Sequence, residues 1–287
     1  MPLISGFDPW QNSMCTCPSK LTFNPYSGCD HGCLYCYASS YVPSFSVCRP
    51  KKDQLTTLKR EAAKLKGEIV SISNSSDPYP RIEAELGWTR KCLEVLVANN
   101  CRIQIITKSN IVTRDDDLLA NARCAVSITI TTDDDNLARI LEPNAPSPEL
   151  RIRAVQDLMG NDIPVSVRVD PIIPFVNDEP AKLVNQLAAL GVKHITTSTY
   201  KPKPDNWFRL SQALPKVAEK LKPLYFQKGE RIGGNTLLPK ELRMKLLGKV
   251  RDAALANGLK FGACREGLPQ LNTAECDGSW LIPSTPR

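Results

Sequence analysis

Three cysteines stand close together near the start of the chain. Cys29, Cys33 and Cys36 are spaced as Cys-x3-Cys-x2-Cys within one short glycine-containing segment. Three thiolates on one loop can bind three corners of a cubane iron–sulfur cluster, in which cysteines ligate the irons. Because no fourth cysteine follows nearby, one iron stays open to a ligand from outside the chain. The spacing therefore predicts a [4Fe–4S] cluster with a reactive iron.

A structural zinc site is the alternative interpretation of this loop. His31 lies between the first two cysteines and could supply the fourth ligand that zinc requires. Zinc ligands in small structural sites usually come as two separated pairs, and this loop has no such pairing. A purely structural role for all three cysteines fits the spacing less well.

The loop and the motifs that follow it resemble the radical S-adenosylmethionine (SAM) superfamily, in the branch related to spore photoproduct lyase. Tyr35, directly before the third cysteine, matches the aromatic residue that the family places beside the adenine. The motifs that carry the resemblance fall between about residues 20 and 200: Asn24-Pro-Tyr-Ser-Gly-Cys29, Ser75-Ser-Asp-Pro-Tyr79, Thr89-Arg90, Thr107-Lys-Ser109, Arg114-Asp115, Ser127-Ile-Thr129, Leu141-Glu-Pro143 and Pro171-Ile-Ile-Pro174.

The resemblance implies both cofactors and reaction. SAM would chelate the open iron, and the reduced cluster would cleave it to methionine and a 5′-deoxyadenosyl radical. We therefore expect an iron–sulfur-dependent enzyme of lyase or transferase type. Its electron would come from a donor such as ferredoxin or flavodoxin.

The elements that must position these residues alternate along the chain. Short runs rich in Val, Ile and Thr predict parallel strands at 21–24, 68–73, 102–107, 125–131, 164–169 and 194–198. Helical stretches are predicted near 54–66, 83–99, 114–121, 148–159 and 179–190. The resemblance implies the same architecture, a partial parallel (β/α)6 barrel of the TIM type. We expect an N-terminal extension over 1–20, the radical SAM core over 21–200, and a basic substrate-binding extension over 201–287.

In a parallel barrel of this order, the matched motifs should lie at the carboxyl ends of the strands, where the active sites of such folds are found. By the resemblance, Ser75, Ser76 and Asp77 occupy the loop that binds the amino group of SAM. Lys108, Ser127 and Thr129 correspond to further polar contacts with SAM. Each serine or threonine could instead satisfy only the backbone.

Glu142 and Arg151 are the remaining candidates for binding SAM. Glu142 would contact the ribose, and Arg151 would pair with a carboxylate, because only arginine offers a planar fork of donors. The alternatives are that Glu142 ends a helix and that Arg151 lies on the surface.

Two residues near the second strand bear on the chemistry. Spore photoproduct lyase uses a cysteine as hydrogen donor just before the Ser-Asp pair of this loop, and here Asn74 takes that position. An asparagine does not release a hydrogen atom as a thiol does, so repair of thymine photoproducts by that route is in doubt. Tyr79 is a candidate radical relay, with packing between two prolines as the alternative.

Four more cysteines lie near the two chain ends. Cys15, Cys17, Cys264 and Cys276 could meet and hold a second iron–sulfur cluster or a zinc ion. The alternatives are unrelated reduced thiols or a redox pair. The odd total of eleven cysteines and their uneven spacing favour a reducing compartment.

Positive charge is concentrated in one segment. The net charge is +7, yet residues 200–251 carry thirteen Lys and Arg against four acids. Tyr200, Trp207, Phe208, Tyr225 and Phe226 are interleaved among them. Cations with aromatics suit a phosphate backbone and stacked bases, so we expect nucleic acid as a partner. The alternative is a solvated helical face above core aromatics.

Composition sets the remaining limits. The chain of 287 residues is 42% hydrophobic, enough for one domain of barrel size. It contains no apolar run long enough to span a bilayer, and its first residues do not resemble a signal peptide, so we expect a cytoplasmic enzyme without a membrane partner.

The function expected from these features is hydrogen abstraction from a nucleic-acid base. DNA lesion repair is the first candidate, because of the resemblance to spore photoproduct lyase. Modification of an RNA or tRNA base is the alternative, since Asn74 weakens the lyase assignment. A small phosphorylated metabolite or a peptide is a further alternative substrate. A non-catalytic iron–sulfur protein would leave the SAM motifs without a purpose.

Overall fold

The computed structural model describes residues 2–7, 14–51, 54–72 and 74–285. Its strands are β1 (Ser5–Gly6), β2 (Leu21–Phe23), β3 (Tyr26–Ser27), β4 (Arg49–Pro50), β5 (Ile69–Ile72), β6 (Arg102–Thr107), β7 (Cys124–Thr129), β8 (Val165–Ile172), β9 (His194–Thr199), β10 (Glu230–Ile232), β11 (Asn235–Leu237) and β12 (Lys260–Ala263).

The helices follow the strands in alternation. They are α1 (Leu55–Ala62), α2 (Glu83–Leu86), α3 (Trp88–Ala98), α4 (Asp116–Leu119), α5 (Asp135–Leu141), α6 (Pro148–Gly160), α7 (Ala181–Ala189), α8 (Pro204–Ala213), α9 (Pro215–Phe226) and α10 (Lys240–Ala256). Short 3₁₀ helices span Ala38–Ser40, Asn110–Asp115, Pro269–Leu271 and Ser279–Leu281. No helix in the described ranges is long and apolar enough to cross a lipid bilayer.

One sheet of eight strands forms the centre of the fold, in the order β1-β2-β5-β6-β7-β8-β9-β12. Seven of its strands are parallel, and β1 pairs antiparallel with β2 at one edge. Strands β2 and β12 do not pair with each other in the described part of the chain, so the barrel is not closed. The α/β class and the mostly parallel sheet of the predicted partial barrel are thus confirmed.

The two faces of the sheet differ in polarity. Val126 and Ile128 of β7 are fully buried in the main apolar core, as are Val155 and Leu158 of α6. The other face is polar, because the register aligns small hydroxyl residues across strands, such as Ser127 with Ser166. This polar face lines the interior of the curved sheet, where a polar cofactor would be accommodated.

The C-terminal tail closes the interior at the amino ends of the strands. The Trp280 indole N–H donates to His194 Nδ1 at 3.1 Å, and Ile282 packs against Ile69 and Ala125. A Cβ atom at Gly278 would lie 3.0 Å from the Ser166 side chain, so the tail lies directly against the sheet. The tail therefore covers the amino ends of these strands.

All six predicted strands are present, with ends within a few residues of the prediction. The predicted strand over 68–73 ends at Ile72, and its last position, Ser73, lies outside the described residues. The predicted helix over 83–99 is interrupted at Gly87, whose φ of 56° ends α2. The stretch over 114–121 is a 3₁₀ helix followed by α4.

The basic segment is mostly helical. Helices α8 and α9 occupy much of 200–236, and β10 pairs with β11 as a hairpin at its end. Strand β12 adds a seventh parallel strand that the sequence did not predict, because four residues containing a glycine give little strand signal. Residues 201–287 thus share the main sheet, while their role in binding substrate stays a prediction.

Candidate functional site

The loop of the three cysteines connects β3 to β4 and is fixed by backbone contacts. The Cys29 N–H donates to the Phe45 carbonyl at 2.8 Å, and the Leu34 N–H donates to the Leu141 carbonyl at 2.9 Å. Gly28 has a φ of 80°, and a Cβ there would lie 2.4 Å from the Val47 carbonyl oxygen. Only glycine therefore fits directly before the first cysteine.

Helix α8 holds the other end of the same loop. The Asn206 side chain donates to the Tyr35 carbonyl at 3.2 Å, and the Arg209 guanidinium donates to the Cys36 carbonyl at 3.1 Å. Ser39 donates to Asp205 and accepts from Arg209 at 2.9 Å. These contacts join residues about 170 positions apart in sequence.

The three thiols are suited to a metal cluster. Burial raises the pKa of Cys29 and of Cys36, and it raises the pKa of Cys33 to about 12, although the Lys108 charge opposes the shift at Cys33. The thiols are therefore protonated without metal, and loading of iron must displace these protons. Three soft donors on one rigid loop fit three irons of a [4Fe–4S] cluster.

His31 has a different environment from that of a simple fourth ligand. Ligand atoms of Cys29, Asp30 and His31 lie within 4.8 Å of one another. The His31 ring is buried, however, and its Nε2 lies 3.1 Å from a carboxylate oxygen of Asp77. His31 thus connects the cysteine loop to the loop after β5.

Asp77 is the centre of the second loop. It accepts from the Thr107 hydroxyl at 2.6 Å and from the Lys108 N–H at 2.7 Å. Burial opposes its ionisation, but the charge and hydrogen bond of His31 together with these donors lower its pKa to about 2. The ionised carboxylate therefore holds the ends of β5 and β6 together beneath the cysteine loop.

The two serines of this loop have separate contacts. Ser76 is buried and donates to the Tyr26 carbonyl at 2.8 Å. Ser75 is half-buried and hydrogen-bonds to the Tyr41 side chain. Their predicted role in binding the amino group of SAM stays a prediction, and the Ser76 hydroxyl is already engaged by the backbone.

Glu142 is the second buried anion of the site. It accepts from the Tyr35 hydroxyl and from the Thr131 hydroxyl at 2.6 Å, and it forms an ion pair with the Arg151 guanidinium at 2.5 Å. Lys108 Nζ lies 4.0 Å away. Burial opposes ionisation, but Arg151 and Lys108 outweigh it and lower the pKa of Glu142 to about 2.

Arg151 is buried, so the surface alternative does not hold. Its guanidinium also donates to the Thr129 carbonyl at 3.1 Å and to the Pro146 carbonyl at 2.8 Å. The carboxylate that it contacts is thus that of Glu142. The expected pairing of Arg151 with a carboxylate of SAM stays a prediction.

Strand β7 supplies polar atoms to the interior. Ser127 is buried, and its hydroxyl has no hydrogen-bond partner among the described residues. An unsatisfied buried hydroxyl is costly, and a polar ligand atom would remove the cost. Thr129 lies two residues nearer the opening on the same strand face and is also buried. Both fit the contacts with SAM that the resemblance implies.

Tyr79 lies away from this interior. The side chain is fully buried, and its hydroxyl donates to Asp115 at 3.1 Å. Burial and the charge of Asp115 raise the pKa of Tyr79 well above its usual value. These contacts are those of a packing residue, and the relay role stays a prediction.

A polar group on the last strands was not predicted. Arg168 donates to Asp170 at 2.7 Å, Ser198 donates to Asp170 at 2.5 Å, and Arg168 also hydrogen-bonds to Cys264. The signal that could have shown it is the period of two in β8, where Ser166, Arg168 and Asp170 alternate with valines. This group lies beside the predicted SAM-site residues of β7, since Arg168 is in register with Thr129.

The four cysteines of the predicted second site are not gathered at one point. Cys17 Sγ lies 3.5 Å from Cys276 Sγ, and Cys15 hydrogen-bonds to Cys17. Cys264 directly follows β12 and contacts Arg168. A second cluster or zinc ion stays a prediction.

Comparison with known families decides the assignment. The sequence model of the radical SAM superfamily matches residues 23–188, more than half of the chain. The chain belongs to this superfamily. Membership implies a [4Fe–4S] cluster and SAM, and the three cysteines with the polar interior fit both.

Relatives of this radical SAM enzyme occur in bacteria and archaea. An uncharacterised protein of Mycobacterium tuberculosis is 26% identical over 231 residues, which cover 72% of this chain and 68% of the relative. An uncharacterised protein of Methanocaldococcus jannaschii is 33% identical over 166 residues, covering 56% and 63%.

Solved structures of radical SAM enzymes share the fold. Spore photoproduct lyase complexed with dinucleoside spore photoproduct has a TM-score of 0.62 at 18% identity, over 84% of this chain and 74% of that one. A mutant of the lyase with bound AdoMet has a TM-score of 0.64 at 15% identity, over 90% and 80%. SuiB of Streptococcus suis bound to S-adenosylmethionine has a TM-score of 0.51 at 14% identity, over 70% of this chain and 47% of that one. The predicted resemblance is confirmed at the level of fold.

Proposed function

We propose that this radical SAM enzyme abstracts a hydrogen atom from a nucleic-acid base. When bound, the cluster and SAM supply a 5′-deoxyadenosyl radical for that step. Cys29, Cys33 and Cys36 hold the cluster, and Tyr35 with Lys108 lies beside it. Lys108 Nζ is 5.5 Å from the centre of the Tyr35 ring, so one cation and one aromatic face adjoin the same space.

The residues of the interior prepare it for a charged ligand. Asp77 and Glu142 are ionised; Asp77 accepts from the Lys108 N–H and Glu142 accepts from the Tyr35 hydroxyl, so they fix the positions of Lys108 and Tyr35. Ser127 and Thr129 offer hydroxyls from the strand beneath. The tail packs against the amino ends of the strands, and covering the interior there limits access of water to a reactive species.

The observation that carries the choice of substrate is a pair of exposed tyrosines beside the third cluster cysteine. Tyr37 and Tyr41 are 48% and 41% exposed, and their ring centroids lie 6.2 Å apart. Exposed aromatic faces at the opening of a barrel are suited to stacking on an unpaired base. Arg265 acts electrostatically on Tyr41 and offers a cation for the adjoining phosphate.

The basic segment contributes less aromatic surface than expected. Tyr200 and Tyr225 are buried with their ring centroids 5.7 Å apart, as in the core-aromatic alternative. Phe208 is 65% exposed, and Lys220 lies over the ring of Phe175, which is 53% exposed. Exposed cations and rings thus remain on α8, α9 and the loop after β8.

DNA carrying a base lesion is the first candidate substrate, by the fold shared with spore photoproduct lyase. An RNA base is the second, and Asn74 favours it. The Asn74 amide donates to Thr22 at 2.6 Å and accepts from Ser71 at 3.2 Å, so it binds neighbouring strands and offers no thiol. Whether the reaction is of the lyase or the transferase type depends on which of these substrates is correct.

The test is reductive SAM cleavage in the presence of oligonucleotides. Anaerobically reconstituted enzyme with flavodoxin or ferredoxin as electron donor should release 5′-deoxyadenosine, and faster with single-stranded DNA or RNA. Binding should weaken with salt, with a log–log slope of magnitude about 3 or more. A Tyr37→Ala, Tyr41→Ala double variant should lose the stimulation and keep basal cleavage. Stimulation by a phosphorylated metabolite or peptide alone would contradict the nucleic-acid assignment.

A further inference from the structure

The two edges of the open sheet meet at the end opposite the cluster loop. Strand β2 lies near one edge and β12 forms the other, yet the segments beside them are in contact. The Asn272 amide donates to the Thr16 hydroxyl at 3.1 Å, and the Lys20 ammonium lies 2.5 Å from the Asp277 carboxylate. Side chains therefore close the seam that backbone pairing leaves open.

Two thiols lie within this seam. Cys17 Sγ and Cys276 Sγ are 3.5 Å apart, although the residues are 259 positions apart in sequence. The Cys276 backbone is tightly held, because its carbonyl accepts from Thr196 at 2.9 Å and a Cβ at Gly262 would lie 2.4 Å from its Cα. The short separation is thus a property of a rigid site, and a modest side-chain rotation would bring the sulfurs into bonding distance.

A third thiol and a cation complete the group. Cys15 is half-buried and hydrogen-bonds to Cys17, while Cys276 is 1% exposed. The Lys20 ammonium acts on both Cys17 and Cys276, and a nearby cation favours the thiolate needed for exchange. The contact from Cys15 lowers the pKa of Cys17, but the contact with Cys276 and burial raise it further, so Cys17 remains a thiol at rest.

We propose that Cys17 and Cys276 form an oxidisable dithiol that closes the barrel seam covalently, with Cys15 as the thiol through which oxidation enters. The oxidant is a small-molecule disulfide of the glutathione type. Its S–S bond breaks as Cys15 forms a mixed disulfide and releases one small thiol. Cys17 then attacks the Cys15 sulfur and expels the second small thiol, which gives a Cys15–Cys17 disulfide. Cys276 attacks the Cys17 sulfur in turn, so that Cys15 leaves as a thiol and the Cys17–Cys276 bond forms. In total, two protein thiols become one disulfide, and the oxidant becomes two thiols.

The structure favours a dithiol over a metal centre at this place. Cys17 and Cys276 form a close pair, and Cys15 contacts that pair through Cys17. Cys264, the fourth thiol that a cluster would need, instead hydrogen-bonds to Arg168. The separation of 3.5 Å between the Cys17 and Cys276 sulfurs suits a disulfide after a modest rotation.

The experiment is disulfide mapping of the cluster-loaded enzyme after anaerobic incubation with oxidised glutathione. Non-reducing digestion and mass spectrometry should show one linked peptide pair containing Cys17 and Cys276, lighter by two hydrogens than the separate peptides. A Cys17→Ser variant should lose this pair and retain glutathione on Cys15. Cys101→Ala is the matched control, since Cys101 is buried elsewhere, and it should give the wild-type linkage.

Two results would overturn the proposal. One is wild-type enzyme in which Cys17 and Cys276 stay alkylatable under oxidation that modifies other thiols, a measurement that needs no variant. The other is a full equivalent of zinc, or of a second cluster, that disappears in Cys17→Ser while the irons of the cluster loop remain. Neither readout involves nucleic acid, so this test is independent of the proposed function.

Discussion

The Arg151 guanidinium lies 2.5 Å from the Glu142 carboxylate, and each side chain is only 1% exposed. Glu142 also accepts from Tyr35, so the pair connects α6 to the cysteine loop. A buried ion pair of this kind contributes to position more than to net stability, because both charges lose their hydration. Removal of one member of the pair is strongly destabilising, since the other charge is left buried without a partner.

Replacement of Glu142 by Gln should therefore destabilise the fold. We expect a loss of about 3–5 kcal/mol in the free energy of unfolding, because the Arg151 cation stays buried without its partner. Urea unfolding of the anaerobic enzyme measures it, and adding Arg151→Met should recover much of the loss. Glu149→Gln, in an exposed pair with Arg153, is the matched control and should cost under about 1 kcal/mol. Equal losses in both variants would contradict this prediction.

Replacement of Lys108 by Met should weaken binding of SAM. Lys108 lies 5.5 Å from the centre of the Tyr35 ring and 4.0 Å from Glu142, and one charge-assisted hydrogen bond is equivalent to about tenfold or more in affinity. Equilibrium dialysis with the cluster-loaded enzyme gives the dissociation constant. Lys249→Met removes a cation that pairs with Glu179 elsewhere on the surface, and it should leave the affinity unchanged. An unaltered constant for Lys108→Met would exclude Lys108 from the SAM site.

Removal of the three loop cysteines should abolish the cluster. Wild-type enzyme reconstituted without oxygen should hold about four irons per chain, and the Cys29→Ala, Cys33→Ala, Cys36→Ala variant none. Colorimetric iron and sulfide assays measure this. Cys92→Ala, a buried thiol of α3, should retain all the irons. About eight irons falling to four would instead reveal a second cluster.

Acid should destabilise the fold through His194, the first residue of β9. Burial lowers the pKa of His194 to about 4, and its Nδ1 accepts from Trp280, so the folded chain resists protonation there. As the pH drops below about 6.5, the pKa of histidine in the unfolded chain, the unfolded chain binds a proton that the folded chain does not. The free energy of unfolding therefore decreases as the pH decreases, until the folded pKa is reached. The loss between about pH 7.5 and about pH 5 should be about 2 kcal/mol.

His194→Asn is the variant that isolates this effect. Its side-chain oxygen can accept from Trp280 but does not titrate, so its unfolding free energy should fall less over the same pH range. Urea unfolding at the two pH values gives the comparison. Parallel pH profiles for the wild type and the variant would assign the acid sensitivity to other groups.

Local features of the sequence predict much of this fold. The apolar strands β6 and β7 begin and end almost where their Ile, Val and Thr runs do. Helix α6 begins at Ser147-Pro148, where the Ser147 hydroxyl accepts from the Leu150 N–H at 3.3 Å. Strand patterns and caps depend on neighbours in sequence, and sequence patterns report such neighbours well.

Partners distant in sequence leave no such signal. Arg151 was a candidate for the carboxylate of SAM, and its contact with Glu142 depends on how α6 packs beside β7. Strand β12 joins the sheet only because β9 offers an unpaired edge. The meeting of Cys17 with Cys276 depends on the curvature of the whole sheet, which no local pattern encodes.

Because contacts from α8 fix the cysteine loop, the loop can be completed only after α8 has been synthesised. A chain emerges from the ribosome with its N-terminal part first. The Tyr35 and Cys36 carbonyls find their donors only when Asn206 and Arg209, 171 and 173 positions later, have been made. Iron delivered to the nascent chain would meet a loop without its final shape. The metal centre thus reaches its final shape only after α8 has been synthesised and packed against the loop.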